Sequence, residues 1–442
     1  MARLASRLER LLEFAPRSQI FPVIVESPKA PELFRYFVIE GLSRIFPTLG
    51  LLREFGARLR LDIEGLVSLF HPRLTRMFNM FSLPATLDIL EDMAQSREIV
   101  KIYPDRVVKV LENPTVPEEG VYTDERGRKF TTTYWTARLL GADKAHEKGY
   151  MGDRIPNPLA VIDTTAAPVH DSIRRAMFAT SFTGIYTDGN GHGVWVAAAA
   201  AGDEWVAQHG LRTAGIARRA KLLTIKSLGF VAGYGTDSSV IDGIAQAVTH
   251  GSKVVNMSLG SDEVPENPED DPEVKIIEAL SQKGMVFCVA CGNSGPGSGT
   301  INSPGIAESA ITVGSYNPVT GRVSRYSSRG PTPDGRIKPD VIAPGENILG
   351  PTVGLLDYAI KPYRFLRSSI MSGTSMSTPH VAGLVHLMAE SAYVNGVNLT
   401  AEMVKDVMLN YGDYAKNNES GWGVLTWDKW ERYASEVLGI KI

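Results

Sequence analysis

Four residues in this chain have the types and settings that acyl-transfer chemistry requires. Asp163 ends the apolar run AVIDTT, and His192 lies in DGNGHGVWVAAAAAG, where the small residues after it permit a tightly packed helix. Ser375 lies in SGTSMSTPHVAGLVHLM, where Val381, Leu384, Val385 and Met388 mark a helix that the serine opens. A serine hydroxyl is a weak nucleophile: it needs an imidazole to take its proton and a carboxylate to hold that imidazole in one tautomer. The backbone N–H groups and dipole of a helix N-terminus are available to a nearby negative charge. A tetrahedral oxyanion also needs aimed donors, and Asn293, in VACGNSGP, stands where a side-chain amide would supply one. The chain order Asp, His, Ser is one of the known orders for this geometry.

Other reactive types read more plainly. Cys288 and Cys291 spell CxxC inside MVFCVAC, an apolar run with the character of a buried strand. Zinc would need two further ligands, and the chain has only 2 cysteines. Residues three apart on a strand are about 10 Å apart and face opposite sides, so the pair is expected as two buried free thiols. His380 and His386 read as helix-packing residues. His170 and Asp171 follow the first apolar run and read as a polar loop. The stretch DEVPENPEDDPE (262–273) clusters carboxylates. It reads as a solvated acidic loop, with Ca²⁺ binding or selection of basic substrate residues as alternatives.

The elements that must position these residues form two texts. LAVID (159–163), LLTIK (222–226), KVVNMSL (253–259), MVFCVA (285–290) and AITVG (310–314) are short, nearly continuous apolar runs. Helical patterns lie between several of them, such as SSVIDGIAQAVTHG with Val240, Ile241, Ile244, Ala245 and Val248 on one face. That alternation predicts an α/β fold: a parallel sheet with helices on both faces, whose ligands bind beyond the carboxyl ends of the strands. The N-terminal text, residues 18–112, predicts a small α+β unit. Its strands are expected at 20–27 and 59–70 and around Pro104, with helices at 32–42 and after Pro84. Residues 71–82 fit no clear element, and residues 1–17 suit an extra amphipathic helix. Residues 113–133 are rich in Pro, Gly and charge and read as a linker.

Composition bounds the rest. A chain of 442 residues that is 43% hydrophobic, with a net charge of −3, can bury a large core and is no general nucleic-acid binder. No apolar run reaches the ~18 residues of a membrane span. The first thirty residues carry arginines but no unbroken apolar core, so the protein is expected inside the cell unless a leader has been removed.

AVIDTT, GHGVWVAAAAAG, NMSLG, VACGNSGP and GTSMSTPHVAG together resemble the subtilisin-like serine proteases, over about residues 135–435. EDMAQSREIVKIYPDRVVKVL resembles, more weakly, the inhibitory propeptide of those enzymes. The resemblance implies a propeptide domain of ferredoxin-like α+β fold at 1–112, a processed linker at 113–133 and a catalytic domain at 134–442. It implies Asp163, His192 and Ser375 as the triad, and Asn293 with the Ser375 N–H as the oxyanion hole. It implies Ser258, Leu259 and Gly260 as the edge that binds an extended peptide. Asp188 also matches and is read as structural, and Asp171 falls where the family often places a calcium-binding Asp, so the resemblance makes it a candidate ligand for a structural Ca²⁺. The implied partners are protein or peptide substrates and the chain's own N-terminal domain as an intramolecular inhibitor, with no cofactor for the chemistry. Self-cleavage is expected within 112–133, with Arg126, Arg128 and Lys129 as one candidate region. Thr165 and Val194 depart from the family's usual Gly and Thr, at positions that carry none of these roles. Two rival readings are a catalytically silent fold of this type used for binding, and an esterase.

Overall fold

A computed structural model describes residues 3–4, 20–26, 80–86, 90, 93, 99–104, 107–110, 122–123, 125 and 129–442, apart from 166, 182–185, 208–209 and 355–366. Seven parallel strands, numbered along the chain, form the large sheet: β1 (Leu159–Asp163), β2 (Met177–Thr180), β3 (Leu222–Lys226), β4 (Val254–Met257), β5 (Val286–Ala290), β6 (Ile311–Tyr316) and β7 (Val341–Pro344). Their spatial order is β7-β6-β5-β4-β1-β3-β2. The five apolar runs expected from sequence are the five interior strands. The two edge strands carried no such signal, for a physical reason. β2 is half solvated, with Met177 and Phe178 exposed, and β7 is a four-residue VIAP. A sheet edge does not demand an unbroken apolar run.

Burial on both faces follows from alternation along each strand. Leu159 and Val161 of β1 join the core on one side, and Ala160 and Ile162 join the core on the other. Helices α1 (His192–Ala201) and α4 (Thr374–Val394) pack on the first face, and α2 (Asp237–Thr249) and α3 (Pro272–Ser281) on the second. Thr236 and Ser239 close a capping box that starts α2. Asp271 caps α3 with Pro272 at its first position. All ten residues of α1 are buried, and its alanines allow α4 to approach closely.

N-terminal residues form a separate four-stranded sheet ordered Arg3–Leu4, Lys101–Pro104, Ile20–Glu26 and Met80–Thr86. Pro84 lies within the last of these, opposite Pro22, rather than opening a helix. The strand is at the sheet edge, where a residue without an N–H is tolerated. Helical backbone appears later, at Leu90 and Met93. The expected helix at 32–42 and strand at 59–70 lie outside the described residues. Part of the expected linker is structured: Tyr122–Thr123 pairs with Lys129–Thr132, which joins Ile348–Thr352 in a four-stranded sheet. Phe130 and Thr131 are buried there.

The approach of α4 to α1 sets the spacing of two helix N-termini. A Cβ on Gly383 would lie 2.5 Å from the Ala200 carbonyl oxygen and 2.6 Å from Ile216 Cβ. Overpacking at such a contact costs about 1–3 kcal/mol. Gly383→Val should therefore lower the midpoint of urea denaturation, and an unchanged midpoint would show that the two helices are not held at that distance.

Candidate active site

Strand β1 delivers Asp163 to the carboxyl end of the sheet with no exposure to solvent. A buried carboxylate needs donors, and its Oδ1 accepts from the Thr164 N–H at 2.7 Å and from His192 Nδ1 at 2.8 Å. His192 is the first residue of α1, after Gly191 with φ 88°. Thr352 Oγ1 donates to the Gly191 carbonyl, and a Cβ on Gly191 would collide with the Val353 oxygen at 2.1 Å. Gly193 is as constrained, since a Cβ there would sit 2.6 Å from the Thr165 nitrogen. Asp188 caps the turn. Its carboxylate accepts from the N–H groups of Asn190, Gly191 and Val194, consistent with its structural reading.

Ser375 is the second residue of α4, and a proline four residues on ties it to the neighbouring strand. Pro379 has no N–H to give to the Ser375 carbonyl. Ser258 Oγ donates to that carbonyl instead, at 2.9 Å, and Ser375 Oγ donates to the Ser258 carbonyl at 3.2 Å. Asn293 follows β5, and its Oδ1 accepts from both the N–H and the Oγ1 of Thr374, at 2.9 and 3.1 Å. The acceptor half of the amide is thereby fixed on the residue before Ser375, which orients Nδ2, the donor half.

Beside Ser258, the strand Leu259–Gly260 pairs antiparallel with Val107–Val110 of the N-terminal region, Leu259 opposite Val110 and Gly260 opposite Lys109. On its other side Val107–Val110 pairs antiparallel with Tyr234–Thr236. An extended segment thus lies as the middle strand of three. The second edge, Tyr234–Thr236, was not legible in sequence, because a three-residue Tyr-Gly-Thr strand reads as the loop before α2.

The family comparison agrees with this arrangement. Residues 158–423 match the model described as the subtilase family. The chain belongs to the subtilase family, the subtilisin-like serine proteases. It is 36% identical over 221 residues to pyrolysin of Pyrococcus furiosus, a match covering 44% of this chain and 15% of pyrolysin. It is 34% identical over 285 residues to serine protease AprX of Bacillus subtilis, covering 59% and 62%. With subtilisin DY of Bacillus licheniformis the identity is 30% over 280 residues, covering 62% and 91%. Subtilase architecture accounts for the parallel sheet with helices on both faces; contacts join Asp163 to His192, and Ser375 to Ser258, with Asn293 bound to Thr374.

The remaining candidates sort by their contacts. His380 binds the Met376 carbonyl and Thr136 Oγ1, at 2.7 and 2.6 Å, and His386 binds the Gly152 carbonyl at 3.3 Å. Burial pushes both down to about 4, so both pack as neutral rings. Asp171 engages Arg174 at 2.6 Å. Among the described residues, no three His, Cys, Asp or Glu side chains converge as a metal site would require. Nor is 262–273 uniformly solvated: Asp271 and Glu273 are fully buried, and Asp262 accepts from Asn302 Nδ2 at 2.6 Å and Ser294 Oγ at 3.2 Å. Lys226, buried beside Asp163, gave no signal, because a lysine ending an apolar run usually reaches solvent.

Cys288 and Cys291 are free, buried, and assigned to cores on opposite faces of the sheet. Burial raises both thiols, Cys291 to about 12. The thiolate is the reactive form, so neither should react with a disulfide reagent at pH 8 until the protein is denatured. Rapid labelling of the native protein would contradict this.

Proposed function

We propose that the chain is a serine endopeptidase, made as a zymogen that cuts itself. In this reading Ser375 Oγ attacks the substrate carbonyl and passes its proton to His192 Nε2, because Nδ1 is held by Asp163. Asp163 stays ionised and stabilises the imidazolium. Asn293 Nδ2 and the Ser375 N–H meet the oxyanion. His192 then protonates the leaving amine, and water releases the acyl group by the same steps in reverse. These residues suffice without a cofactor.

The observation that carries the substrate class is the seating of Val107–Val110 between Leu259–Gly260 and Tyr234–Thr236. A site that holds an extended backbone on both edges is built for peptide, which favours a peptidase over an esterase. The same segment supports the zymogen reading. Its antiparallel direction carries the chain from Lys109 to Val110 toward Ser258, and so toward Ser375. A tethered segment acts at high effective concentration, so modest affinity suffices to block the cleft. Lys101 fastens the N-terminal sheet nearby: its Nζ pairs with Asp270 and donates to the Glu269 carbonyl. Lys129 already belongs to a strand paired with Tyr122–Thr123, so the cut is proposed nearer residue 112 than the basic cluster at Arg126, Arg128 and Lys129.

Ser375→Ala should accumulate as the uncut 48.1 kDa chain and keep only the small residual rate that binding and the oxyanion hole provide. Near-normal peptidase activity in that variant would overturn the reading. Asn293→Ala should slow turnover by roughly 10²–10³, the size of loss found when one such donor is removed from a subtilisin. Asp270→Lys should shorten the lag before wild-type activity appears. Full activity of the uncut chain with no lag would remove the zymogen part and leave the peptidase.

A further inference from the structure

Lys226 is among the largest fully buried side chains in the protein, with 1% exposure. It ends β3 directly opposite Asp163, which ends β1. Its Nζ donates to the Thr164 carbonyl. Thr164 is the hub of the neighbouring contacts: its N–H donates to Asp163 Oδ1, and its Oγ1 accepts from the N–H of Gly193, the residue after His192, at 2.9 Å. A second fully buried carboxylate, Asp188, lies in the same field and caps the turn that presents His192. The Phe230 ring, with its centroid 5.8 Å from Nζ, closes another side.

Burying an ammonium is costly unless opposite charge compensates it. Desolvation lowers the Lys226 pKa, and the attraction of Asp188 and Asp163 opposes that fall. The carboxyl groups acting on this lysine are thus Asp188, which shapes the His192 loop, and Asp163, which holds His192; burial raises the Asp188 pKa, and the Gly191 N–H and the Lys226 charge oppose that rise. We infer that Lys226 is a positioning residue of the catalytic unit: it clamps Thr164, and it offsets the two buried carboxylates at His192. The inference rests on the reading of His192 as the general base.

The consequence has a definite sign. Two buried carboxylates near an imidazole favour its protonated form, which cannot act as a base. A nearby ammonium disfavours that form. Without Lys226, His192 would keep its proton to higher pH, so the acid limb of activity should move up in pH. A shift of about one unit corresponds to roughly tenfold lower activity at a fixed pH on that limb.

The test is the pH dependence of kcat/KM on a peptide substrate, with the expressed full chain as wild type, Lys226→Met, Lys226→Arg and Asp188→Asn. Lys226→Met should shift the acid limb upward by about one unit, leave KM nearly unchanged and recover most of its rate above the limb. Lys226→Arg should bring the limb back toward the wild-type position. Asp188→Asn keeps an oxygen acceptor for the turn but removes one carboxylate charge, so its limb should move downward. This last variant keeps the inference open to refutation if Lys226→Met does not fold. A limb that stays put in Lys226→Met, or in Asp188→Asn, overturns the inference. So does an equal loss at every pH that arginine does not restore. His192→Ala is assayed alongside: if it stays active, the triad reading fails, whereas an inactive His192→Ala with unmoved limbs removes only the role of Lys226.

Discussion

A carboxylate with no access to water, Asp163, is the fixed point around which the rest of the site is arranged. Such a group is tolerated only where donors and opposite charge replace the lost solvent. Here they come from three directions: the Thr164 N–H, His192 Nδ1 at the start of α1, and the field of Lys226 at the end of β3. Each sits at the carboxyl end of the parallel sheet or at the N-terminus of a helix laid on it. The fold's own geometry therefore brings the compensating groups to the carboxylate. The imidazole of His192 is thereby held through Nδ1.

Close packing carries that order to Ser375. α1 can lie against α4 because its alanines are small and Gly383 carries no Cβ, which would lie 2.5 Å from the Ala200 carbonyl oxygen. Pro379, by lacking an N–H, leaves the Ser375 carbonyl to Ser258 and joins the helix bearing the serine to the end of β4. Thr374 holds the amide of Asn293 from the same turn. The Leu259–Gly260 edge, Ser375 and the Asn293 amide are thus one mechanical unit.

Much of this was legible in the sequence, and what was not has physical causes. Interior strands such as LAVID and LLTIK must be apolar on both faces, so β1 and β3 to β6 stood out. The edge strand β2 need not be, and β7, though buried throughout, is only four residues long, so both were missed. Asp163, His192, Asn293 and Ser375 were found because each sits in a local motif with its own composition. Lys226 was invisible because its meaning depends on a strand pairing with a residue 63 positions earlier. Pro84 misled because local rules place proline at a helix start, while a sheet edge accepts it equally well. The acidic stretch 262–273 misled in a similar way, since composition cannot tell a solvated carboxylate from a helix cap such as Asp271.

Ser375 is proposed above as a nucleophile activated by His192 and Asp163. The most direct measurement is labelling of the activated wild-type protein with a fluorophosphonate, followed by peptide mapping of the adduct. A single adduct on Ser375 is expected, formed rapidly in wild type and lost in His192→Ala. An adduct on another residue, or equal labelling of His192→Ala, would contradict it.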